Sequence, residues 1–549
     1  MDHLSDNVHS ISDVAHPSSI VHRSIFNDVL GPIMSGPSSS HSAGCARIGR
    51  MVRLLYGKEI RKAHVIYDSG GSYPKTHVGQ GSDFGFTGGL LGFNTEDPQM
   101  KDAIFLAAQR GVTIWFSEEN LYHRHPNEAR IDVYCDNNDT VELTVLTYST
   151  GGGAFEIVEM DGFPVYIDGS FNQLYVCCSI EEGIGIEKIL SAFPCSIHQE
   201  IQKNRILFCV SGYHPDQETN ILSALSYENI YYCRKAPAIL PIPIQENASP
   251  LFTTAAQAVK LSRQTGRSAW ELAVDYERSI GNISYEKIIS MAAHLIDIMR
   301  SSTMPPDPKS TQQYGFQDYT CLQIRNTATV TSVLDLGVLN NAILYAQAVM
   351  ENSCAHNIIV AAPTAGSSGV LPGALLAVSE ARNCSPEDIV HALLVSGLVG
   401  VLITNQATFS AEAAGCQAEN GAASAMAAAG IVYLLGGTID QGFMAASMAL
   451  QNLLGLICDP VAGLTQVPCI GRNLAAVGNA VICANMVLLG YDPVIPLDET
   501  IQVLMNVGKL LPAALRCTCE GGLCTSLTGQ RIMTHIQKTN CKDICSSDV

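Results

Sequence analysis

The feature that most constrains this fold is a change in composition near the middle of the chain. From 331 to 515 the sequence shifts sharply toward Ala, Leu, Val, Gly and Met. Ala, Leu and Met are strong helix formers, so we predict an all-helical core domain in this half. The predicted core helices span 334–352, 373–383, 386–403, 422–435, 441–457, 474–489 and 499–511.

Three cysteines mark a candidate site in the same half. Cys416 follows a glycine, Cys458 precedes Asp-Pro, and Cys469 follows a proline. Glycine and proline interrupt helices, so the three thiols are expected at helix ends. The positive end of a helix dipole favours the thiolate, and soft thiolates suit an iron–sulfur cluster or zinc. Their spacing matches no compact metal motif, so buried packing residues are the competing interpretation.

Residues 25–160 are predicted to form an α/β domain that begins after a mobile tail, residues 1–24. The motif Gly36-Pro-Ser-Ser-Ser-His41 places hydroxyls and backbone amides at a helix start, an arrangement that binds anions such as a carboxylate. Simple capping of the helix by serine is the alternative. Helices are predicted over 38–55 and 84–91, and strands over 63–67, 112–116, 131–135 and 141–147.

An unusual segment follows at 161–240. Its predicted elements approach the β-α-β-β-α-β order of a ferredoxin-like unit, similar to small-ligand regulatory domains of the ACT type. Amino-acid regulation and a structural spacer are both compatible with it. A proline-rich stretch leads into a helical linker, 241–313, and then the catalytic domain, 314–530, and a tail, 531–549.

Composition limits the kinds of partner. The formal net charge is −19, which disfavours nucleic acids and anionic membranes. The 19 cysteines have no regular spacing and indicate a reducing cytoplasm rather than a disulfide framework. The first 24 residues show no secretory or transit signal. The apolar run 389–403 contains His and Ser and is shorter than the ~20 residues that span a bilayer, so we predict a buried helix.

Four motifs in order resemble the iron–sulfur-dependent L-serine dehydratases, also called L-serine ammonia-lyases. They are the serine motif at 36–44, Pro-Thr-Ala-Gly-Ser-Ser-Gly at 363–369, and the two cysteine segments around 416 and 458–469. The resemblance extends from about 24 to 529 and departs at two places. Gln80 stands where relatives have a titratable His, for which His77 is a hypothetical substitute, and the segment 516–524 is unusually rich in cysteine.

The resemblance implies a set of site residues. Cys416, Cys458 and Cys469 would hold a [4Fe–4S] cluster, and a C-terminal thiol, Cys541 or Cys545, would cap the fourth iron if any residue does. His41 and Ser39 are implied in catalysis. Substrate binding is assigned to Ser38, Ser40, Thr364, Ser367, Ser368, Arg472 and Asn473, although the last two residues are equally suited to satisfy buried carbonyls.

The resemblance therefore implies dehydration and deamination of L-serine to pyruvate and ammonia in the cytoplasm, in amino-acid catabolism that feeds gluconeogenesis. A homodimer is the expected assembly. Between 311 and 530 the only lysine is Lys509, outside any phosphate cradle, which argues against pyridoxal phosphate. The alternatives are L-cysteine desulfidation, threonine deamination, or a catalytically inactive amino-acid sensor.

Overall fold

The computed structural model describes residues 22–135, 139–226, 228–245, 248–307, 315–321 and 334–545, with side chains up to 536. Most of the predicted N-terminal tail therefore lies outside the described residues. The chain has a mixed α/β N-terminal part and a helical C-terminal part, as predicted. The first part contains β1 (Ile33–Ser35), α1 (Gly44–Tyr56), β2 (Lys62–Asp68), α2 (Tyr73–Gln80), α3 (Ser82–Leu91), α4 (Ala103–Gln109), β3 (Thr113–Glu119), β4 (Glu128–Tyr134), β5 (Val141–Gly151), β6 (Ala154–Met160) and β7 (Phe163–Ile167).

Six of these strands form one sheet in the order β3-β2-β4-β5-β6-β7. Only the β2–β3 pair is parallel. The apolar face of the sheet, including Val65, Ile131 and Val145, packs on Ile48 and Val52 of α1. Buried and partly exposed residues alternate along β7 and most of β6, as a half-covered sheet requires. The sheet and α1 together hold the first serine motif in place.

The next segment forms a second sheet from β8 (Gln173–Ser179), β9 (Ser196–Gln202), β10 (Arg205–Ser211) and β11 (Ile230–Ala236). Its strand order is β11-β8-β10-β9, with all neighbours antiparallel. Leu174, Val176 and Cys178 of β8 pack on two helices, whereas Tyr175 and Cys177 join the core of the six-stranded sheet. Both faces of β8 are thus buried, which explains its continuous apolar run. The two helices are α5 (Ile180–Leu190) and α6 (Glu218–Leu225).

The helical part is built around helix α14 (Ala422–Leu434), in which every residue from Ala422 to Val432 is buried. Small side chains let neighbouring helices approach closely, and a Cβ at Gly430 would lie 2.5 Å from the Ser396 hydroxyl. The elements are α7 (Ala255–Thr265), α8 (Ala269–Gly281), α9 (Tyr285–Ser302), α10 (Val338–Cys354), β12 (Ile358–Val360), α11 (Val370–Arg382), α12 (Pro386–Gln406), α13 (Ala411–Ala414), α14 (Ala422–Leu434), α15 (Ile439–Gln451), α16 (Cys469–Leu488), α17 (Leu497–Leu510) and α18 (Leu527–Cys545).

Helix α12 is long and apolar enough to cross a membrane, but 83% of its most apolar 18-residue window is buried within the fold. Its Leu393, Leu394 and Val401 belong to the same core as α8, α9 and α14. The prediction of a buried core helix is confirmed for this segment.

Several elements differ from the predictions. The short helices α2 and α4 and the three-residue strands β1 and β12 were not expected, because elements this short give little periodic signal. The seven-residue strand β6 was not expected either. Helix α16 begins at Cys469 rather than at 474, and α15 ends at Gln451 rather than at 457. A helix runs from Leu527 to Cys545, so most of the predicted tail, 531–549, is helical within the described residues.

Strand β1 pairs antiparallel with β12, with Ile33 opposite Val360. This small sheet joins the N-terminal part to the helical part. The serine motif directly follows β1, and the second motif, 363–369, directly follows β12. The pairing therefore brings two distant segments of the sequence to the same place.

A buried carboxyl fastens the N-terminal segment to α8 and makes stability depend on pH. Glu277 accepts hydrogen bonds from the Ser24 hydroxyl at 2.8 Å and the Ile25 amide at 2.6 Å. Burial raises the pKa of Glu277 to about 8. The folded state therefore binds this proton more tightly than the unfolded state, and the stabilisation is lost as pH rises through about 8.

We expect Glu277→Gln to gain melting temperature relative to wild type as pH rises from 6 to about 9. Glu187 is exposed, so Glu187→Gln provides the matched control. The difference between its melting temperature and that of wild type should stay constant with pH. Thermal unfolding by circular dichroism at several pH values measures the difference, and parallel curves for wild type and Glu277→Gln would contradict the interpretation.

Candidate active site

The serine motif forms a tight turn at the start of α1. Ser38 caps a π-helical turn, Ser39–Ala43, and its hydroxyl accepts a hydrogen bond from the His41 amide at 3.2 Å. The Ser149 hydroxyl of β5 donates to the Ser40 carbonyl at 2.7 Å. The capping prediction is confirmed for Ser38, and capping leaves the neighbouring serine hydroxyls free to make other contacts.

A buried carboxylate lies at the centre of the contacts made by this turn. Ser40 and Ser410 donate to the two oxygens of Glu412 at 3.0 and 2.8 Å, and the Nδ1 atom of His41 lies 3.8 Å from the first oxygen. Burial opposes ionisation of Glu412, whereas the charge that His41 carries only when protonated and hydrogen bonds from the backbone, Ser410 and Ser40 lower the pKa of the carboxyl. The site therefore holds a carboxylate near neutral pH.

His41 lies behind Ser40. Its Nδ1 atom is 2.9 Å from the Ser40 hydroxyl, and its Nε2 atom is 2.9 Å from the Thr76 hydroxyl and 3.2 Å from that of Ser72. Burial lowers the pKa of His41 to about 4, and the Glu412 carboxylate opposes this only in part. A neutral imidazole thus orients the Ser40 hydroxyl from the side away from the cavity.

The second motif meets the first through its backbone. The Ala365 amide donates to the Ser39 hydroxyl at 3.3 Å, and Thr364 donates to Glu419 at 2.7 Å. Ser367 contacts Thr364 at 3.1 Å, whereas Ser368 donates to the Ala365 carbonyl at 2.8 Å. The hydroxyls of Thr364 and Ser368 are therefore engaged by neighbouring protein groups.

The three predicted cysteines converge at one end of the core helices. Cys416 precedes the π-helical turn Gln417–Gly421, Cys458 lies in the loop after α15, and Cys469 is the first residue of α16. The sulfurs of Cys416 and Cys458 and an oxygen of Glu419 lie within 4.8 Å of one another. Cys469 lines the same cavity as Cys458 and Glu419.

The environment ionises one of these thiols more readily than the others. A hydrogen bond from Cys458 lowers the pKa of Cys416 to about 7 against the effect of burial, and Arg472 adds to the shift. Contact with Cys416 raises the pKa of Cys458, and burial raises that of Cys469. The set thus contains one thiolate near neutral pH and two thiols that must lose protons to bind a metal.

Arg472 and Asn473 make protein contacts. Arg472 pairs with Asp459 at 2.7 Å and donates to the Ile457 carbonyl at 2.9 Å. Asn473 donates to the carbonyls of Gly366 and Cys469 at 2.8 and 2.9 Å. These contacts favour the second role considered for both residues, the satisfaction of buried carbonyls, over contact with a substrate.

All three motifs open onto one small cavity of about 30 Å³. The serine turn forms one wall, Gly366 a second, and Cys458, Cys469 and Cys517 a third, whereas Cys416 contacts Cys458 but is not part of the lining. A Cβ at Gly366 would lie 2.8 Å from a Glu419 oxygen, so this turn approaches the carboxyl as closely as a glycine allows. The lining residues are Pro37, Ser38, Ser39, Ser40, Gln80, Gly366, Ala411, Glu412, Glu419, Cys458, Pro460, Thr465, Cys469 and Cys517.

The sequence departures fall on and beside this cavity. The Gln80 amide lies 3.7 Å from the Cys517 sulfur, so the amide occupies a lining position. His77 pairs instead with Asp83 at 2.8 Å, and Asp83 raises the pKa of His77 although burial opposes protonation. The glycine turn at 151–153 has positive φ at all three residues, and Gly151 packs against Ser410.

Sequence reasoning missed Glu412, Glu419 and Cys517. The two glutamates are the only charged residues between 407 and 434, and acidic residues in an apolar helical segment are a recognisable signal of function. Cys517 carries no such signal. It reaches the site because the segment 515–517 runs beside Cys458, whose amide donates to the Leu515 carbonyl at 2.9 Å and whose carbonyl accepts from the Cys517 amide at 2.9 Å.

Cys541 and Cys545, the predicted C-terminal ligands, lie in α18 where side chains are outside the described residues. Cys517 is in contact with Cys458 and forms one apolar cluster with it, Cys416 and Ala411. Cys517 therefore adds a fourth sulfur to the site. It comes from the cysteine-rich segment 516–524, to which the sequence alone assigned no role.

Comparison with known proteins shows which proteins this chain is similar to. Residues 258–524 match the family model described as serine dehydratase alpha chain. The chain is 35% identical over 286 residues to a probable L-serine dehydratase alpha chain of Bacillus subtilis, covering 52% of this chain and 95% of that one. It is 37% identical over 289 residues to the L-serine dehydratase alpha chain of Peptoniphilus asaccharolyticus, covering 52% of this chain and 99% of the other.

This chain also matches a second type of subunit. It is 39% identical over 188 residues to a probable L-serine dehydratase beta chain of B. subtilis, covering 34% of this chain and 83% of that one. One polypeptide thus has similarity to both separate subunits. With nearly the full length of the alpha chains matched at this identity, the chain belongs to the L-serine dehydratase family.

Proposed function

We propose that this chain is an L-serine ammonia-lyase that converts L-serine to pyruvate and ammonia with the help of a [4Fe–4S] cluster. The observation that carries the proposal is that the serine turn, the Gly366 turn and the thiols of Cys458, Cys469 and Cys517 face one cavity, with Cys416 in contact with Cys458. Hydroxyl and amide donors on one side of this cavity and sulfur donors on the other are groups that a small amino acid whose hydroxyl must leave would need.

The donor set fits an iron–sulfur cluster. Cys416, Cys458 and Cys469 are buried soft ligands, and Arg472 compensates negative charge beside Cys416. When bound, the cluster would supply a Lewis-acidic iron that makes the β-hydroxyl of serine a better leaving group. Because two of the three thiols have raised pKa values, cluster assembly is expected to release protons and to proceed better at higher pH.

The serine turn supplies groups for the substrate carboxylate. Ser38, Ser39 and Ser40 all line the cavity, and the Ala365 amide already orients the Ser39 hydroxyl. Hydroxyl and amide donors at the beginning of a helix stabilise an anion without a full positive charge. The candidate roles of Thr364, Ser367 and Ser368 are then to shape the Gly366 turn, and only Thr364 among them contacts a lining side chain, Glu419.

Glu412 is the candidate for removal of the α-proton. Its lowered pKa keeps it ionised, and it lines the cavity next to Ser40. His41 makes no direct approach to the cavity, so we assign it to positioning: it holds Ser40, which holds Glu412. Removal of the α-proton by a positioned carboxylate contributes typically about 10²–10⁴-fold to a rate.

Cys517 is a better placed fourth thiol than the predicted Cys541 or Cys545. It contacts Cys458 and lines the cavity, so it is a candidate to bind the fourth iron when no substrate is present. The spectrum of the oxidised and reduced cluster in Cys517→Ser, compared with that in the Cys541→Ser/Cys545→Ser double variant, tests this assignment. A changed cluster spectrum in the double variant alone would favour Cys541 or Cys545 as the ligand of the fourth iron.

We further propose that the sheet β11-β8-β10-β9 with α5 and α6 is an ACT-type regulatory unit. Its strand order supports a ferredoxin-like topology, which such units share. We also propose a homodimeric enzyme of amino-acid catabolism in the cytoplasm, where its product pyruvate can enter gluconeogenesis.

Anaerobic reconstitution with iron and sulfide, followed by a substrate panel of L-serine, L-threonine and L-cysteine, tests the proposed function. The expected result is a brown protein that releases pyruvate from serine with the highest kcat/KM of the three. Faster turnover of threonine or cysteine would reassign the substrate, and a fully reconstituted protein that turns over none of them would support the amino-acid sensor instead.

A further inference from the structure

A second cavity lies at the junction of the two halves of the chain, away from the candidate active site. Its volume is about 410 Å³, within the range of small-molecule sites. It is bounded by α1, the loop at 93–96, the segment before β1, the linker at 239–241 and one face of α9. No residue of this cavity lines the active-site cavity among the described residues.

The charged groups of this junction cavity are mostly cationic. Arg47 and Arg50 face it from α1, and Lys287 faces it from α9, as does the imidazole ring of His294. Glu96 is the only acidic residue in its described lining. The chain as a whole has 51 acidic residues against 32 Lys and Arg, so a concentration of cations at one cavity runs against the overall composition.

These cations form no close ion pair within the described part of the protein, although the charge of Asp28 acts on Arg47 from a neighbouring small cavity. Neither Arg47, Arg50 nor Lys287 forms an ion pair among the described residues, although many other Lys and Arg side chains do. Arg47 is only 7% exposed and uses one guanidinium nitrogen to donate to the Gly153 carbonyl at 2.8 Å. A buried guanidinium without a carboxylate partner is costly unless an anion or water compensates it.

The remaining wall is apolar. Phe26, Leu30, Ile33, Phe93 and Met291 line it. Cations on two sides and an apolar wall between them suit a molecule with acidic groups joined by a short carbon chain. We propose that the junction cavity binds a small organic anion with two acidic groups, each a carboxylate or a phosphate.

The cavity is connected to the serine turn through two elements. Thr95 in its lining donates to the Ile33 carbonyl at 2.7 Å and accepts, through its own carbonyl, from the Ser35 amide at 3.0 Å. Ser35 ends β1, directly before the serine motif, and α1 with its two arginines begins directly after the serine turn. An anion at this position would therefore contact both elements that flank the turn. The binding site itself does not depend on the proposed reaction.

Isothermal titration calorimetry of the reconstituted full chain tests the proposal. The probes are inorganic phosphate, succinate and 3-phosphonopropionate, with butane-1,4-diol as an uncharged probe of similar length. We expect 3-phosphonopropionate or succinate to bind, the diol not to bind, and the preferred probe to show whether a phosphate group or two carboxylates are recognised. Arg50→Gln should weaken binding about tenfold or more, because a charged hydrogen bond is lost.

Arg50 is suited to this test because it is half-buried and makes no hydrogen bond or ion pair among the described residues, so its loss should leave the fold intact. Arg300→Gln, at the other end of α9, removes the same charge outside the cavity and should leave affinity unchanged. Failure of every anionic probe to bind wild type at about 10 mM would overturn the proposal. So would binding that Ser39→Ala weakens and Arg50→Gln does not, because the anion would then occupy the active-site cavity.

Discussion

Replacement of Cys458 by serine is expected to abolish both the cluster and the activity. Cys458 is the central sulfur of the site, since it contacts Cys416 and Cys517 and lies on the wall shared with Cys469. Serine keeps the size of the side chain but offers a hard, poorly ionised oxygen in place of a soft thiolate. After anaerobic reconstitution, Cys458→Ser should lose most of the visible thiolate-to-iron absorbance and bound iron, and its kcat should fall by about 10³-fold or more.

Cys384→Ser provides the matched control. Cys384 follows α11, is partly exposed and lies outside the cluster of cysteines. The Cys384→Ser variant should bind iron and turn over serine as wild type does. Full iron content and activity in Cys458→Ser would show that the cysteines are packing residues, the interpretation that their spacing alone allowed.

The second large effect is expected for Glu412→Gln. Gln preserves the shape of the side chain but cannot accept a proton, and one of its two terminal atoms becomes a donor facing Ser40 or Ser410. If Glu412 removes the α-proton, kcat should fall by about 10²–10⁴-fold while the cluster spectrum and iron content stay unchanged. The separation of spectrum from turnover distinguishes a lost base from a lost cluster.

Glu351→Gln removes another largely buried carboxylate of the helical part. Glu351 accepts from the amides of Thr320 and Cys321 at 2.9 and 3.1 Å and does not line the active-site cavity. Its substitution should reduce thermal stability without the large loss of kcat. Glu412→Gln with wild-type kcat would assign the base to another residue.

The helical half could be predicted because its composition allowed few alternatives. A segment such as 422–434 contains small and apolar residues on every face, which fits only a helix surrounded by other helices. The ends of the helices were less predictable. Pro468 is the N-cap of helix α16, where its missing amide hydrogen costs no helical hydrogen bond, so the helix begins at Cys469. The apolar pattern becomes clear only several residues later.

The site was predictable where the chain carries local motifs and not where it depends on contacts between distant segments. Ser38 and the serine turn follow from capping propensity, and Glu412 could have been found as a charge in an alanine-rich segment. The partnership of Ser39 with Ala365 depends on the pairing of two three-residue strands, and that of Cys517 with Cys458 on a single bridge. Neither leaves a periodic trace in the sequence.

The positions of Arg472 and Asn473 show a related difficulty. Both residue types bind carboxylates and both satisfy buried carbonyls, so residue type alone does not separate the two roles. Only the contacts with Asp459, Ile457 and Gly366 distinguish them. The cavity at the domain junction was likewise invisible in the sequence, because its lining comes from five separated segments.

The most direct test of the central claim is a crystal structure of the anaerobically reconstituted protein with diffraction data collected at the iron absorption edge. We expect a single anomalous peak for clustered iron, bonded to the sulfurs of Cys416, Cys458 and Cys469 and facing Ser38–Ser40 across the cavity. Iron bound by other residues, or an active protein with no iron at these three sulfurs, would contradict it.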